Sequence, residues 1–341
     1  MASSFPAKVR VSPHYELPEF VLPFSQPSGF ADCIAGGEPR VVLPPEAQYV
    51  YAKGIKLTTA VNISQQPFNT VPGCAIEAYE ASIPAYWIRS QAMWNHHDLM
   101  AAGNWGASLP ELERRGARQA AFQNIRAIFF SGVNAANGEG ILNAPGTVQA
   151  TLPPDTFGNT TFSTYDNGQM LLQLNTNISN LITRMFQFGT TKGRIVVIGP
   201  QKYFGGSTLT GIIQLTSVQR PGAGSETVPQ SAIRIMKEAM DWEIHFTYDD
   251  TLIGLGAGGT DAIIIVAPEL EPNNAAKFDT NTFSTVSPNM DANVLQLVDM
   301  AAPKEIPVPQ PWGYLHTGFE MKSTPGWTLR PEGVTIWSMS F

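Results

Sequence analysis

Residues Ser108 to Gly132, followed by Gly140-Ile141-Leu142-Asn143-Ala144-Pro145-Gly146, constrain this chain more than any other stretch. Ser108 and Glu111 stand at capping-box spacing, and Pro110 falls in the first turn, where a missing N–H costs little. Leu112, Ala117, Ala120, Ala121, Ile125 and Ile128 follow the three-and-four step of an amphipathic helix. A helix over the whole segment is roughly 34 Å long, so the remainder must be built against a rod. The loop from Ser131 to Gly146 ends it. Gly supplies positive φ there, Asn bonds its own turn, and Pro fixes φ without a donor.

The segments before the rod have a different grammar. Residues 1–45 carry Pro6, Pro13, Pro18, Pro23, Pro27, Pro39, Pro44 and Pro45, a density that forbids helix and central strand. By composition this is either an extended arm lying on another surface or a disordered tail. Phe5, Tyr15, Phe20, Val21, Leu22, Phe24 and Phe30 weigh against disorder, because leaving them in water is costly. Residues 46–90 predict two strands, with Tyr49, Tyr51, Ile55 and Leu57 on one and Ile76, Ala78, Ile83 and Trp87 on the other. The turn-rich stretch Gln65–Gly73 lies between them as a tip. A lone hairpin is marginal in water, so it must pack on its own domain or on another molecule. Ala92 to Leu99 predict a short helix leading into the rod.

After the rod, a Thr/Pro-rich connector covers 147–165. A second helix is expected from Asp166 or Asn167 to Phe188, with Met170, Leu171, Leu174, Ile178, Leu181, Ile182, Met185 and Phe186 as its apolar stripe and Gly189 as its stop. A third is expected over Pro229–Met240. Arg194–Gly199 and Ala262–Val266 are short continuous apolar runs, the mark of buried strands, and Trp242–Tyr248 alternates as a strand. Further strands are expected at Val294–Val298, Tyr314–Met321 and Val334–Met339, with a Pro-punctuated stretch over 303–311. Gly254, Gly256 and Gly259 satisfy Gly-x-Gly-x-x-Gly, but that dinucleotide motif must open a helix and this one leads into a strand. It is expected to be a flexible hairpin tip.

Bulk properties narrow the function. The chain has 341 residues, 43% hydrophobic and only 14% charged, against about 25% charged in ordinary chains. Such a surface belongs either to a neutral monomer or to a molecule whose faces partners cover. Net charge is −7 with no basic run, which excludes tight binding to phosphates. Two cysteines, Cys33 and Cys74, make no disulfide framework, and a reducing compartment is expected. No secretory leader or membrane span is recognisable. His96-His97-Asp98 lacks the i, i+4 spacing of helical zinc ligands. Asp249 and Asp250 are adjacent at a strand end, so they are not expected to form a carboxylate pair. No Gly-x-Ser-x-Gly, phosphate loop or His-Glu-x-x-His occurs. No catalytic, cofactor-binding or metal-ligating residue is therefore assigned, and no enzyme is expected.

A long helix running into Gly140-Ile141-Leu142-Asn143-Ala144-Pro145-Gly146 resembles the major capsid proteins of tailed bacteriophages and the related encapsulin shells. The resemblance implies an α+β protein of the Hong Kong-type phage capsid fold. It implies an N-terminal arm (1–45), an extended hairpin loop (46–90), a peripheral domain with the spine helix (91–150), an axial domain (151–302), and strands returning to the peripheral domain (303–341). It implies self-assembly into pentamers and hexamers of an icosahedral head enclosing double-stranded DNA without sequence-specific binding. Portal, scaffolding and decoration proteins would be partners; no cofactor or membrane is implied, and the site would be the virion, assembled in the host cytoplasm. Some relatives carry a charged scaffolding segment before the arm that is later cleaved off; with nothing like it in this sequence, either a separate scaffold or removal by processing is expected, and Met1 favours the former. Phe20 and Phe24 of the arm and Tyr49, Tyr51, Phe68 and Val71 of the hairpin become the expected intersubunit contacts. Arg114, Arg115 and Arg118 on the spine would meet a neighbour's acidic residues or form a solvated basic face. The alternatives are an encapsulin-like compartment with protein cargo, a soluble α+β enzyme, and a tail or adhesive protein, the last disfavoured by the two helices.

Overall fold

The computed structural model describes residues 28–34, 43–58, 75–104, 108–165, 167–186, 192–204, 218–220, 223–226, 228–269, 295–297, 301–309 and 315–341. In chain order these form β1 (Tyr49–Thr58), β2 (Ala75–Pro84), β3 (Tyr86–Trp94), α1 (His96–Asn104), α2 (Leu109–Ser131), β4 (Val148–Thr151) and α3 (Asn167–Phe186). There follow β5 (Gly193–Gly199), the single turn α4 (Gln201–Phe204), β6 (Val218–Arg220), β7 (Ala223–Glu226), α5 (Val228–Met240), β8 (Trp242–Tyr248) and β9 (Asp261–Val266). The chain ends in β10 (Leu295–Leu297), β11 (Ala301–Pro309), β12 (Leu315–Ser323), β13 (Gly326–Thr328) and β14 (Val334–Met339). The expected α+β class is observed.

The largest sheet has the order β4-β14-β9-β5-β8. β5 and β8 run parallel, as do β4 and β14, while β9 is antiparallel to both β5 and β14. Every residue of β9 and β14 is buried, which is why β9 after Asp261 appears in sequence as a continuous apolar run rather than an alternating one. α3 packs on β9, β14 and α5. Its stripe Met170, Leu174, Ile178, Leu181, Ile182 and Met185 is fully buried. β8 and β9 are not neighbours, because β5 lies between them. The glycine-rich segment is thus a crossover past the end of β5, not the tip of a hairpin. It is also tied down: Gly254 N donates to Asp261 Oδ1 (3.0 Å) and Ala257 N to Ser338 Oγ (2.9 Å).

A second sheet, β11-β12-β3, is antiparallel, and α2 packs against β3, β12 and β13. The helix runs 23 residues and buries Ala121, Ile125, Phe129 and Phe130. Ser108 is its N-cap residue, yet its side chain makes no capping bond. The reciprocal cap sits instead on α1, where Asn95 Oδ1 accepts from Asp98 N (2.8 Å) and Asp98 Oδ2 accepts from Asn95 N (3.3 Å). The helix expected over Ala92–Leu99 begins four residues later, at His96. Ala92 and Trp94 are buried members of β3, paired with Thr317 and Leu315, so strand pairing overrides alanine's preference for helix. The Pro-punctuated segment is a strand because β11 is an edge, where a missing N–H leaves no ladder bond unmade.

Residues 28–34 do not leave the body. Phe30 is buried, its ring 5.5 Å from that of Phe122 and 5.6 Å from that of Phe129. Of the apolar residues expected to lie along a partner, this one completes the chain's own core. Cys33 is buried beside it, and burial pushes its thiol pKa far upward, which keeps it protonated and inert.

Candidate assembly surfaces

β1 and β2 pair antiparallel from Tyr49↔Pro84 to Thr58↔Ala75. The base of this hairpin is anchored. Lys322, almost wholly buried, donates Nζ to Pro45 O (2.9 Å) and lies 4.7 Å from the Trp87 ring centre. Ile83 and Trp327 form a small separate core with Val50, Ala52 and Leu329. The hairpin's surface is open among the described residues: Tyr49 and Tyr51 near the base and Ile76 and Tyr79 further out are 52%, 60%, 69% and 54% exposed. The register puts Ile76, opposite Leu57, on the face of Tyr49 and Tyr51, and Tyr79, opposite Gly54, on the other. Both faces of a two-stranded ribbon therefore carry bare apolar side chains, an arrangement that is marginal without a covering surface.

The phrase after the spine is a rigid knot. Gly132 (φ +69°) and Gly140 (φ +81°) lie back to back, such that a Cβ on Gly140 would stand 2.3 Å from Gly132 N and one on Gly132 would stand 2.4 Å from Glu139 O. No other residue tolerates both the positive φ and the approach. Glu139 between them is 2% exposed and accepts from Asn134 N (2.9 Å), Val133 N (3.3 Å), Tyr86 Oη (2.9 Å) and Asn137 Nδ2 (3.4 Å). Burial, then the bond to Glu139, pushes the Tyr86 hydroxyl up to about 12. Asn143 Nδ2 donates to Ser131 O (2.8 Å) and Glu139 O (3.0 Å), closing the loop onto the helix end. Ile141 is fully buried, and Gly140 N donates to Gly326 O (3.0 Å). The phrase thus joins α2, β3 and β13. Between it and the hairpin base lies a cleft of about 430 Å³ lined by Tyr49, Ile83, Tyr86, Glu139, Pro145 and Trp327 among others.

Two further buried charged groups stitch the body. Arg126 of α2 lies 3.5 Å from the Asp249 carboxylate, both almost fully buried. Asp249 also accepts from Ser28 Oγ, Thr251 N (2.9 Å) and Thr251 Oγ1 (2.6 Å). Asp250 caps α4 by accepting from Gln201 N (2.7 Å), so the adjacent aspartates serve separate structures. Asp261 accepts from Tyr203 Oη (2.7 Å), Gly254 N (3.0 Å) and Lys202. Burial raises its pKa, and these donors more than offset that, holding it below the usual carboxylate range. Sequence reasoning misses Glu139 and Asp261, whose only signal is an isolated acid inside a glycine-rich or apolar stretch, and sees Asp249 only as one of an adjacent pair.

Arg114 and Arg118 pair with Glu305 of their own chain (3.4 and 3.2 Å), while Arg115 is exposed. Tyr49 and Tyr51 stand exposed as described, and Phe20, Phe24, Phe68 and Val71 lie outside the described residues. Among the described residues no group of three or more His, Cys, Asp or Glu could hold a metal ion, and no helix is long and apolar enough to cross a membrane.

No family model matches the sequence, and no curated protein matches it either. The fold does have counterparts. The chain is similar to a solved structure of the capsid of Myoviridae phage XM1, with a TM-score of 0.68, 13% identity and 96% of each chain covered. It is similar to the capsid structure of cyanophage P-SCSP1u, with a TM-score of 0.54, 11% identity, and 95% and 92% covered. A structure from Mycobacterium phage Ogopogo gives 0.54, 9% identity and 96% of each chain. The chain therefore has the phage major-capsid fold of the Hong Kong type over nearly its whole length, the fold that the helix and the phrase after it imply.

Proposed function

We propose that this chain is the major capsid protein of a tailed bacteriophage, a shell subunit that assembles with copies of itself into pentamers and hexamers of an icosahedral head around double-stranded DNA. The observation that carries the reading is a capsid fold spanning 96% of the chain together with a hairpin on which, among the described residues, four large apolar side chains are exposed. Each hairpin laid on a neighbour removes that surface from water, at about 25 cal/mol per Å². Closed symmetric rings then multiply modest contacts into a stable shell. Within residues 1–45 the part before Ser28 acts as an arm, 28–34 staying with the body; within 46–90 the ribbon of β1 and β2 is the reaching loop, β3 staying in its sheet; 91–150, 151–302 and 303–341 are the spine region, axial region and returning strands. Phe20, Phe24, Phe68 and Val71 join Tyr49 and Tyr51 in these contacts. The net charge of −7 suits a wall that encloses phosphates without gripping them. Portal, scaffolding and decoration proteins complete the assembly in the host cytoplasm, and the work done is assembly rather than catalysis.

Electron microscopy of the expressed chain across salt conditions tests this reading. Closed particles of uniform size are expected. A species that stays monomeric or dimeric under every condition contradicts it.

A further inference from the structure

The outer face of α3 has an unusual chemistry. In twenty residues its one charged side chain is Arg184, which turns inward to Glu332 O (2.9 Å) and Thr335 Oγ1 (2.5 Å). The exposed row is Leu172, Thr176, Asn180, Thr183 and Phe186, with Leu172 64% exposed and Phe186, expected on the apolar stripe, 46% exposed. The other long helices do expose charge: Glu111, Arg114, Arg115 and Arg118 on α2, Lys237 and Glu238 on α5. A solvent-facing helix ordinarily carries charged residues on that side.

Beside this face stands a second feature. Phe157 is 87% exposed on the tip of a turn that its neighbours hold rigid. Asp155 Oδ1 accepts from Phe157 N and Asn159 N (both 2.8 Å), Oδ2 accepts from Asn159 Nδ2 (3.2 Å), and Asp155 N donates to Asn159 O (2.7 Å). Gln169 Nε2 of α3 reaches Thr156 Oγ1 of the same turn (3.4 Å), so knob and helix face are linked. Apart from Asp155, residues 147–165 carry no charge. An aromatic ring held out by a preorganised turn, on a charge-free surround, has the make-up of an interface centre, where charge is depleted and aromatic anchors dominate.

We infer that Phe157 and the outer row of α3 form a contact surface for a second copy of this chain. The inference rests on the shell reading above. Nucleic acid does not fit, since phosphate contacts need Lys and Arg. Two copies, each with a net charge of −7, approach with least repulsion where neither presents charge. Asn and Thr side chains both donate and accept, so the row can bond to a like surface without a charge partner.

The test places a photoreactive benzoylphenylalanine at Thr176 in the full chain, and separately makes Phe157→Glu, Leu172→Glu and the milder Phe157→Ser. Self-association is followed by sedimentation, folding by circular dichroism and Tm. Cross-links at twice the chain mass are expected. The variants should need about tenfold or more protein to associate, with folding unchanged. Variants that associate at the parent's concentration overturn the contact and leave the shell reading standing. Cross-links within one chain, or to a different protein, also overturn it. A parent that forms only small oligomers, which the variants dissolve, keeps the contact and removes the shell reading. A parent monomeric at every concentration and salt removes both.

Discussion

β9 and β2 are both strands rich in small and apolar residues, and the fold treats them in opposite ways. All six residues of β9 are buried between neighbours β14 and β5. Of the ten residues of β2, only Ile83 is buried. β9 is held by its own chain; β2 is held at its base by the Ile83–Trp327 contact and beyond that by one partner strand. The difference separates a part of the molecule that is complete from a part that is not. Stability should therefore reside in the sheet, the spine and the Gly132–Gly146 knot, and association in the hairpin.

The largest effect is expected in the knot. Gly140→Val forces a side chain into 2.3 Å contact with Gly132 N at a positive φ, and should cost more than about 4 kcal/mol. Soluble yield and Tm of the variant check this. A well-folded Gly140→Val protein would mean the complete region is not closed where the fold says it is.

Asp261 gives the next effect. Its folded pKa lies below the ordinary value near about 3.9, so its contribution is whole above about pH 5 and fades as pH falls through the folded pKa. Asp261→Asn should lose about 2 kcal/mol at pH 7 and show a flatter fall of Tm between pH 5 and pH 3. Equal slopes for variant and parent would remove this carboxylate from the account.

Glu305 is a smaller matter. It holds Arg114 and Arg118 at the surface, with arginine side chains 47% and 66% exposed, and such pairs contribute under about 1 kcal/mol. Glu305→Ala should leave Tm nearly unmoved. An effect on assembly without an effect on Tm would show that these arginines are shared with a neighbouring copy.

Much of the fold was legible in the sequence because the signals were local. α2, α3, β8 and β14 follow from periodicity and breakers, and β14 and β8 coincide with their expected bounds. The misreadings share one cause. Ala92–Trp94 has a helical pattern in sequence, and the glycine-rich segment has that of a hairpin tip. Each is decided by which strand lies alongside, which no local pattern contains. The knot illustrates the same limit: its glycines and Asn143 stood out as breakers, but that Glu139 would be buried under four donors depends on Tyr86 arriving from another strand. Of the residues proposed as contacts, Tyr49 and Tyr51 are legible in sequence as apolar residues on a hairpin, whereas Phe157 is hidden in a connector because a rigid turn leaves little trace in composition.

The most direct test uses the hairpin itself. Tyr51→Ser combined with Ile76→Ser alters two side chains that are 60% and 69% exposed, so Tm of the dissociated chain should move by no more than the equivalent of about 0.5 kcal/mol. Particles counted by electron microscopy should disappear or need far more protein to form. Normal shells from the double variant, or a collapse of monomer stability instead, would contradict the claim that the hairpin is built to be covered by another copy.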